Sequence, residues 1–176
     1  MKEASRVIIE DVDEEVASLT ILKESFELWK REFREQYEQA YASFALPKLL
    51  APRVKLELLT DWDPMLLRSR AKTARLCDLE WYRCFQSFCN DIAASENTDE
   101  DQDRELLATL VEGEALPLLE NRLLNTYDPA SRDETLAMTA AMREIVTHKP
   151  SEAACTQLQV STLKALKQAV ESVSPC

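Results

Sequence analysis

The sequence predicts an all-α fold of seven to eight antiparallel helices, stacked as irregular helical hairpins or as a HEAT-like array. The chain has one glycine among 176 residues, whereas hairpin and sheet turns rely on glycine for positive φ angles. Apolar residues recur every three or four positions along several segments, which is typical of helices. The pattern P-x5-L-L-x2-[W/Y]-D-P occurs at 52–64 and again at 117–129, which indicates one helical unit used twice.

The chain is predicted to form a single helical domain over residues 18–173, preceded by an acidic segment. Residues 1–17 contain six acidic side chains and are interpreted as a tether or as the end of a coiled coil. Five of the nine residues at 95–103 are acidic, which is typical of a solvated loop. We therefore interpret 95–103 as an internal linker. A chain of this length is expected to bury a substantial core.

The first long helix is predicted to start at a cap on Ser18 or Thr20. Proline disfavours α geometry in the residue before it, so Pro47 is expected to end or kink this helix. One apolar stripe is predicted to run along its buried face: Leu19, Leu22, Phe26, Trp29, Phe33, Tyr37, Ala40/Tyr41 and Phe44. The second helix follows, and Pro52 is expected to kink or restart it.

The two copies of the repeat end in elbows of one design: Trp62, Asp63 and Pro64 in the first copy, and Tyr127, Asp128 and Pro129 in the second. The aspartate is placed to cap the next helix, and the proline to occupy its first position. Each aromatic ring is expected to pack beneath its own elbow. The alternative is that the two rings stack on nucleic-acid bases.

Later helices are predicted at 79–92, 104–114, 116–126, 130–147 and 151–173, with a kink at Pro117 and a cap at Ser151. The helix at 79–92 is rich in aromatic residues. Its aromatic side chains either belong to the core or form an exposed groove for a partner. In the last helix the side chains expected to face inward are Leu158, Ala165/Leu166, Ala169/Val170 and Val173.

The formal net charge of −11 disfavours nucleic-acid binding by the chain as a whole, because affinity for phosphate backbones comes from lysine and arginine. Residues 48–75 are the exception, with seven basic side chains against three acidic ones. They form either a solvated helix face or a contact for RNA or an acidic peptide. The seven basic residues are Lys48, Arg53, Lys55, Arg68, Arg70, Lys72 and Arg75.

The sequence contains no pattern that indicates catalysis, so a non-enzymatic protein without a cofactor is expected. His148 is the only histidine, and the single glycine excludes a glycine-rich phosphate loop. The five cysteines form no CxxC pair and have no metal-ligand spacing, so neither a metal site nor a disulfide framework is expected. Free cysteines indicate a reducing compartment, and no apolar run is long enough to span a membrane.

Residues 7–64 resemble the GCF C-terminal domain of the GC-rich sequence DNA-binding factor-like and paired-box-protein-binding proteins. The resemblance rests on EDVDEEVASL, FELWKREFREQYEQAY, LPKLLAPRVKLELL and the following WDP. The stretch LLATLVEGEALPLLENRLLNTYDPAS is similar to a second block of that domain. The similarity covers roughly residues 7–150, and the last helix matches only loosely. Proteins of this family are several times longer.

The resemblance implies a nuclear, all-helical module for protein–protein interaction. Its implied partners are spliceosomal proteins of the intron-lariat complex, including a G-patch protein and a DEAH-box helicase. We therefore expect a scaffold in pre-mRNA splicing, in spliceosome assembly or disassembly. The alternative is a DNA-binding transcription factor, or a transcriptional adaptor that acts at GC-rich promoters or with paired-box proteins.

Overall fold

The structure is a computed structural model that describes residues 18–65, 75–95 and 102–173. No β-strand occurs in these ranges, so the predicted all-α class is confirmed. The described α-helices number eight, or seven if α5 and α6 are counted as one continuous helix. They are α1 (Leu19–Glu32), α2 (Arg34–Gln39), α3 (Ala42–Asp61), α4 (Glu80–Ser95), α5 (Leu106–Leu110), α6 (Leu116–Asn125), α7 (Arg132–Val146) and α8 (Glu152–Val173). Short 3-10 helices at Leu76–Asp78 and Gln102–Glu105 precede α4 and α5.

The predicted first long helix is divided in the structure, because the chain turns twice within it. Phe33 leaves the helical region (φ −134°, ψ 50°) between α1 and α2. Tyr41 adopts the left-handed conformation (φ 51°, ψ 38°) immediately before α3. These turns redistribute the predicted apolar stripe. Leu19 and Tyr37 remain buried, whereas Phe33, Tyr41 and Phe44 are exposed.

Helix α3 contains two prolines, and neither of them ends or restarts it. Pro47 and Pro52 both lie within Ala42–Asp61, although each lacks the N–H that would bind the carbonyl four residues earlier. Four side chains of this helix are at most 2% exposed: Leu46, Leu50, Val54 and Leu58. Their burial offsets the lost hydrogen bonds and keeps the helix continuous.

Residues 106–125 form the central helix of the described fold. Here α5 and α6 are joined by a π-helical turn at Val111–Ala115, next to the kink predicted at Pro117. Pro117 cannot donate to the carbonyl of Gly113, and the turn before it takes the wider π pattern. Helices α3, α4, α7 and α8 all pack against this central helix. The irregular form of the predicted array therefore describes the fold better than a serial one.

Two predicted helix caps are confirmed. Ser18 Oγ accepts a hydrogen bond from the Ile21 N–H (3.4 Å) at the start of α1. Ser151 Oγ accepts from the Ala154 N–H (3.2 Å) at the start of α8. Both hydroxyls thus satisfy a backbone donor that has no partner within its own helix.

The end of the predicted acidic loop is buried. Asp103 is 1% exposed, and its Oδ2 accepts hydrogen bonds from Lys30 Nζ (2.9 Å) and Tyr37 Oη (2.9 Å). This network joins the 3-10 helix before α5 to both α1 and α2. The rest of the predicted loop, at 96–101, and the predicted tether at 1–17 lie outside the described residues.

Three glutamates bind backbone N–H groups at the start of helices that are distant in sequence. An anionic carboxylate at a helix start satisfies unpaired donors and interacts favourably with the helix dipole. The pairs are Glu57 with Glu80 and Trp81 (2.6 and 3.2 Å), Glu112 with Ser151 (2.7 Å), and Glu144 with Leu76 and Cys77 (3.0 Å each). Part of the acidic composition is therefore structural and not solvated.

The carboxylate of Glu57 caps α4 from a buried position. Its side chain is 8% exposed, and burial raises the pKa of this carboxyl above the ordinary 4.5, opposed by the two backbone hydrogen bonds. A carboxyl whose pKa is raised by folding binds its proton more tightly in the folded state. Its contribution to stability is therefore fully present below pH 4.5 and is lost as the pH rises through the folded-state pKa.

We expect Glu57→Ala to lower the free energy of unfolding by about 1–3 kcal/mol, because two backbone N–H groups lose their acceptor. Glu57→Gln keeps one acceptor oxygen and removes the titration. The wild type should therefore gain stability relative to Glu57→Gln as the pH falls from about 7 towards 4.5. Urea unfolding of the three proteins across this range measures both effects. If the free energy of unfolding of the wild type instead falls relative to that of Glu57→Gln on acidification, folding does not raise the pKa of Glu57.

Candidate interaction surface

The two elbows have the same turn. Asp63 Oδ1 accepts a hydrogen bond from the Met65 N–H (3.1 Å), and Asp128 Oδ1 accepts one from the Ala130 N–H (2.9 Å). In both copies the aspartate side chain closes a turn across the intervening proline. The sequence repeat is therefore also a structural repeat.

The agreement between the two copies extends upstream, beyond the residues of the shared motif. Buried positions in α3 follow each other at steps of four, and each has a buried counterpart 65 residues later in the chain. The pairs are Leu46 and Val111, Leu50 and Ala115, Val54 and Leu119, and Leu58 and Leu123, all at most 2% exposed. The residue types differ in the first three pairs, so the motif alone did not identify them.

The aromatic rings of the elbows differ in burial. Trp62 is 3% exposed, which leaves no face on which a base can stack. Tyr127 is partly buried against the core, and its hydroxyl is hydrogen bonded to Thr135 Oγ1 (3.0 Å). Both rings thus contact the core at their own elbow.

Asp128 does not cap the following helix and Pro129 does not occupy its first position, contrary to the prediction. Helix α7 begins at Arg132, and its cap is Ser131, whose Oγ accepts from the Glu134 N–H (3.3 Å). The Glu134 carboxylate reaches back to the Asp128 N–H (2.8 Å). The Asp128 side chain is engaged in the turn, so the helix starts further along the chain. The S-x-x-E pattern at 131–134 is the sequence signal for this start. The segment that Asp63 was predicted to cap lies outside the described residues.

Helix α3 presents a row of exposed side chains opposite its buried stripe. Those within the helix are three or four residues apart, so they lie along one side of it. Tyr41 immediately precedes the helix and lies at the start of the row. We call this row the outer stripe of α3; it consists of Tyr41, Phe44, Lys48, Pro52, Lys55 and Leu59. Tyr41 is 69% exposed and Phe44 is 60% exposed, and their ring centroids are 6.4 Å apart. The stripe therefore combines aromatic, aliphatic and cationic groups in contact with solvent.

A small groove lies at the C-terminal end of the outer stripe, between α3 and α6. It has a volume of about 130 Å³ and is lined mainly by Leu59, Trp62, Pro64, Leu118 and Arg122. Arg122 Nη2 lies 3.9 Å from Asp63 Oδ2, which links the second copy of the repeat to the elbow of the first. The groove has room for one large apolar side chain beside a cationic rim.

The four described residues of the predicted basic patch do not form one surface. Lys48 and Lys55 lie two turns apart on the outer stripe, whereas Arg53 is partly buried on another side of α3. Arg75 lies at the start of the 3-10 helix held by Glu144 of α7. Arg68, Arg70 and Lys72 lie outside the described residues. Two of the four described cations thus share the same side of α3.

The aromatic residues of α4 belong to the core. Trp81, Phe85 and Phe88 are at most 2% exposed, and Tyr82 is 6% exposed. The exposed positions on this helix within residues 80–91 are polar. The alternative of an aromatic partner groove on this helix is therefore wrong.

The last helix, α8, is only partly oriented as predicted. Leu158 and Ala165 face the core, but Leu166 is 41% exposed and Val170 is 67% exposed. Its inner side packs on α6, and small residues such as Ala165 allow that approach. The large apolar side chains between 160 and 170, unlike Leu158, consequently lie on the outside.

The described thiol and imidazole side chains that could act in nucleophilic or acid–base chemistry are buried or hydrogen bonded within the fold. Burial raises the pKa of the Cys84 thiol to about 11, which keeps it protonated near neutral pH. His148 Nε2 lies 3.0 Å from Tyr82 Oη, and burial lowers the pKa of this imidazole. Among the described residues, no cluster of histidine, cysteine and carboxylate side chains has the arrangement of a metal site. None of the described helices has the length and apolarity needed to cross a bilayer.

The chain is similar to three longer curated proteins. It is 32% identical over 151 residues to human PAX3- and PAX7-binding protein 1, which covers 85% of the chain and 16% of that protein. It is 28% identical over 154 residues to the transcriptional repressor ILP1 of Arabidopsis thaliana, covering 87% of the chain and 16% of the repressor. Mouse intron Large complex component GCFC2 is 24% identical over 159 residues, which covers 90% of the chain and 20% of that protein.

No protein-family model matches the chain, and the chain spans about a sixth to a fifth of the length of these relatives. The alignments nevertheless cover both copies of the repeat, because each extends over at least 85% of the chain. They agree with the resemblance that the repeated motifs indicate. The chain therefore belongs to the family of GC-rich sequence DNA-binding factor-like and paired-box-protein-binding proteins.

Proposed function

We propose that this chain is a non-enzymatic protein-binding domain of a nuclear factor in transcription, where it acts as an adaptor for a paired-box protein. The observation that carries the proposal is the outer stripe of α3. Large apolar side chains exposed beside cations are typical of protein-binding surfaces. The central helix and its four neighbours provide a rigid support for this surface.

The names of the relatives support a role in transcription more than one in splicing. One relative is named for binding PAX3 and PAX7, and another is named a transcriptional repressor. These names describe the relatives, which are five to six times longer than the matched region. We extend to this chain, as part of the proposal, the binding of a paired-box protein and the role in transcription that these names state.

A direct contact with duplex DNA is less favoured than a protein contact. The net charge of −11 repels the phosphate backbone. The described basic residues of 48–75 are divided between α3 and the position just before the 3-10 helix at Leu76–Asp78. Neither element carries the continuous run of cations that a major-groove helix uses.

The test is a pair of titrations with the purified chain. We expect saturable binding to a recombinant paired-box protein by isothermal titration calorimetry. We expect no binding to a GC-rich duplex by fluorescence anisotropy above about 0.1 M salt. Tight duplex binding with a steep salt dependence, together with no binding to the paired-box protein, contradicts the adaptor role and favours a DNA-binding factor.

Splicing is the second candidate function, because the mouse relative is named as a component of the intron Large complex. In that case the partners are spliceosomal proteins, including a G-patch protein and a DEAH-box helicase. Immunoprecipitation of the tagged chain from nuclear extract, followed by probing for lariat RNA and for these proteins, tests this candidate. Enrichment of lariat RNA would support it, and its absence alongside paired-box binding would exclude it for this domain.

A further inference from the structure

We propose that the outer stripe of α3 is the docking site for an acidic amphipathic helix of a partner protein, and that one large apolar side chain of that helix occupies the groove between α3 and α6. The inference rests on the protein-binding function proposed above and specifies its surface and its chemistry. Four features of the described residues support it: charge, spacing, the groove and the backbone of Tyr41.

The charge of the stripe is opposite to that of the chain. Lys48 and Lys55 are exposed, and the only glutamate of α3 is Glu57, which is buried and bound to the start of α4. Glu114 lies 4.0 Å from Lys55 Nζ, but its side chain is only 18% exposed whereas that of Lys55 is 59% exposed. The positive charge of Lys55 is therefore more exposed to solvent than the negative charge of Glu114. In a chain of net charge −11, this positive strip is complementary to an acidic partner.

The spacing of the stripe fits a helix. Its members follow one another at steps of three or four residues from Tyr41 to Leu59. Such a row spans about 27 Å, which a partner helix of about 18 residues matches. An amphipathic helix laid along a row of this kind makes contacts at i, i+3, i+4 and i+7. Its acidic positions would lie opposite the two lysines.

The groove supplies an anchor at one end of this row. Leu59 belongs both to the outer stripe and to the lining of the groove, so the two are continuous. A single buried anchor in a well-packed pocket commonly contributes most of the binding energy of such contacts. Arg122 at the rim, whose side chain is 40% exposed, adds a third cation to the strip.

The backbone of Tyr41 marks the other end of the row. A bulky residue in the left-handed region is a genuine outlier and stores backbone strain. Here the strain is not repaid by burial, because the ring is 69% exposed beside Phe44. An exposed aromatic pair in a strained turn is suited to anchor a partner, since aromatic residues dominate binding hot spots.

The experiment uses a synthetic peptide of about 18 residues, with leucine at helical i, i+4, i+7 and i+11 positions and glutamate at most others. A matched peptide carries lysine in place of glutamate. We expect the acidic peptide to bind the chain with a measurable Kd and the basic peptide to bind at least about tenfold more weakly, by fluorescence anisotropy. Equal binding of the two peptides overturns the proposal.

Two charge-reversal variants locate the site. Lys48→Glu combined with Lys55→Glu is expected to raise the Kd of the acidic peptide at least about tenfold. The control is Lys164→Glu combined with Lys167→Glu, which makes the same charge change at exposed positions of α8 and should alter the Kd by less than about twofold. Equal effects of the two double variants would indicate general electrostatics and would overturn the assignment to α3.

Tyr41→Gly separates binding from folding. Glycine adopts the left-handed conformation without strain, so the melting temperature should stay the same or rise. Binding of the acidic peptide should weaken by about fivefold or more, as expected for an aromatic anchor. Unchanged peptide binding by this variant overturns the role of Tyr41. A fall in melting temperature that parallels the loss of binding overturns it in favour of a structural role.

Two further measurements test whether the stripe binds a second copy of the chain or the acidic segment at 1–17 in place of a partner helix. Sedimentation that shows a dimer, lost in the Lys48→Glu and Lys55→Glu variant, would assign the stripe to a second copy of the chain. Tighter binding of a free peptide of residues 1–17 than of the synthetic helix would assign it to the acidic segment of the chain. Either result overturns the proposal.

Different results would refute the adaptor function and the assignment of the binding site to α3. Paired-box binding that survives the Lys48→Glu and Lys55→Glu variant refutes the site and leaves the adaptor function intact. Binding of the acidic peptide at α3, without any binding to a paired-box protein, refutes the adaptor function and supports the site.

Discussion

Trp62→Ala is expected to lower the free energy of unfolding by about 3–5 kcal/mol, the range for truncation of a large aromatic side chain in a core. Trp62 ends α3, is 3% exposed and belongs to the main core cluster. Its removal leaves a cavity beneath the first elbow that the surrounding helices cannot fill without moving. Urea unfolding followed by circular dichroism measures the loss.

Tyr127→Ala, at the equivalent position of the second elbow, is the matched control. Tyr127 is only partly buried, and its hydroxyl is bonded to Thr135 (3.0 Å). Less apolar surface is removed from the core, so a smaller loss of stability is expected. A loss of stability for Trp62→Ala that is no larger than that for Tyr127→Ala would show that the first elbow does not depend on its ring.

Asp103→Ala is expected to lower the free energy of unfolding by about 3–5 kcal/mol, because it removes a buried carboxylate that pairs with Lys30. Lys30 Nζ lies 2.9 Å from Asp103 Oδ2, and the two side chains are 11% and 1% exposed. The variant also removes the acceptor of the Tyr37 hydroxyl. Thermal and urea unfolding at neutral pH measure the change.

Asp91→Ala is the control for this prediction, since it breaks an ion pair of the same kind at the surface. Asp91 Oδ2 lies 3.1 Å from Lys23 Nζ, and its side chain is 61% exposed. Surface ion pairs contribute little, so only a small loss is expected. Similar losses of stability for the two variants would show that burial does not determine how much the ion pair of Lys30 and Asp103 contributes to the free energy of unfolding.

The features that the sequence predicted correctly are local ones. The scarcity of glycine and the helical spacing of apolar residues indicated the all-α class. Ser18 and Ser151 were identified as caps because a hydroxyl before an apolar run binds a donor only a few residues away. The P-x5-L-L-x2-[W/Y]-D-P pattern indicated a structural repeat, because both copies place the same chemistry at the same turn.

The features that the sequence did not predict depend on contacts between distant residues. Pro47 and Pro52 suggested breaks in α3, but burial against the central helix outweighs the missing hydrogen bonds. The contacts of the Glu57 and Glu144 carboxylates with helix starts elsewhere in the chain were not predicted, because nothing in the neighbouring sequence indicates them. Periodicity alone contains no information on such pairs.

The candidate surface was missed for a related reason. Tyr41 and Phe44 continue the spacing of the first apolar stripe, so they were assigned to the buried face. The turns at Phe33 and Tyr41 change the direction of the helix and place both rings outside. The lysines of the same row were recognised, but as part of a cluster that the fold divides between elements.

The central position of residues 106–125 has a consequence for how this architecture can change. In solenoid proteins each unit contacts only its neighbours, so copies can be added at either end. Here helices that precede the second copy and helices that follow it in the chain already pack on several of its sides. A further copy could not stack on those sides as the next unit of a solenoid does. Within the described residues, the two copies therefore belong to one closed packing arrangement and not to a series that can be lengthened.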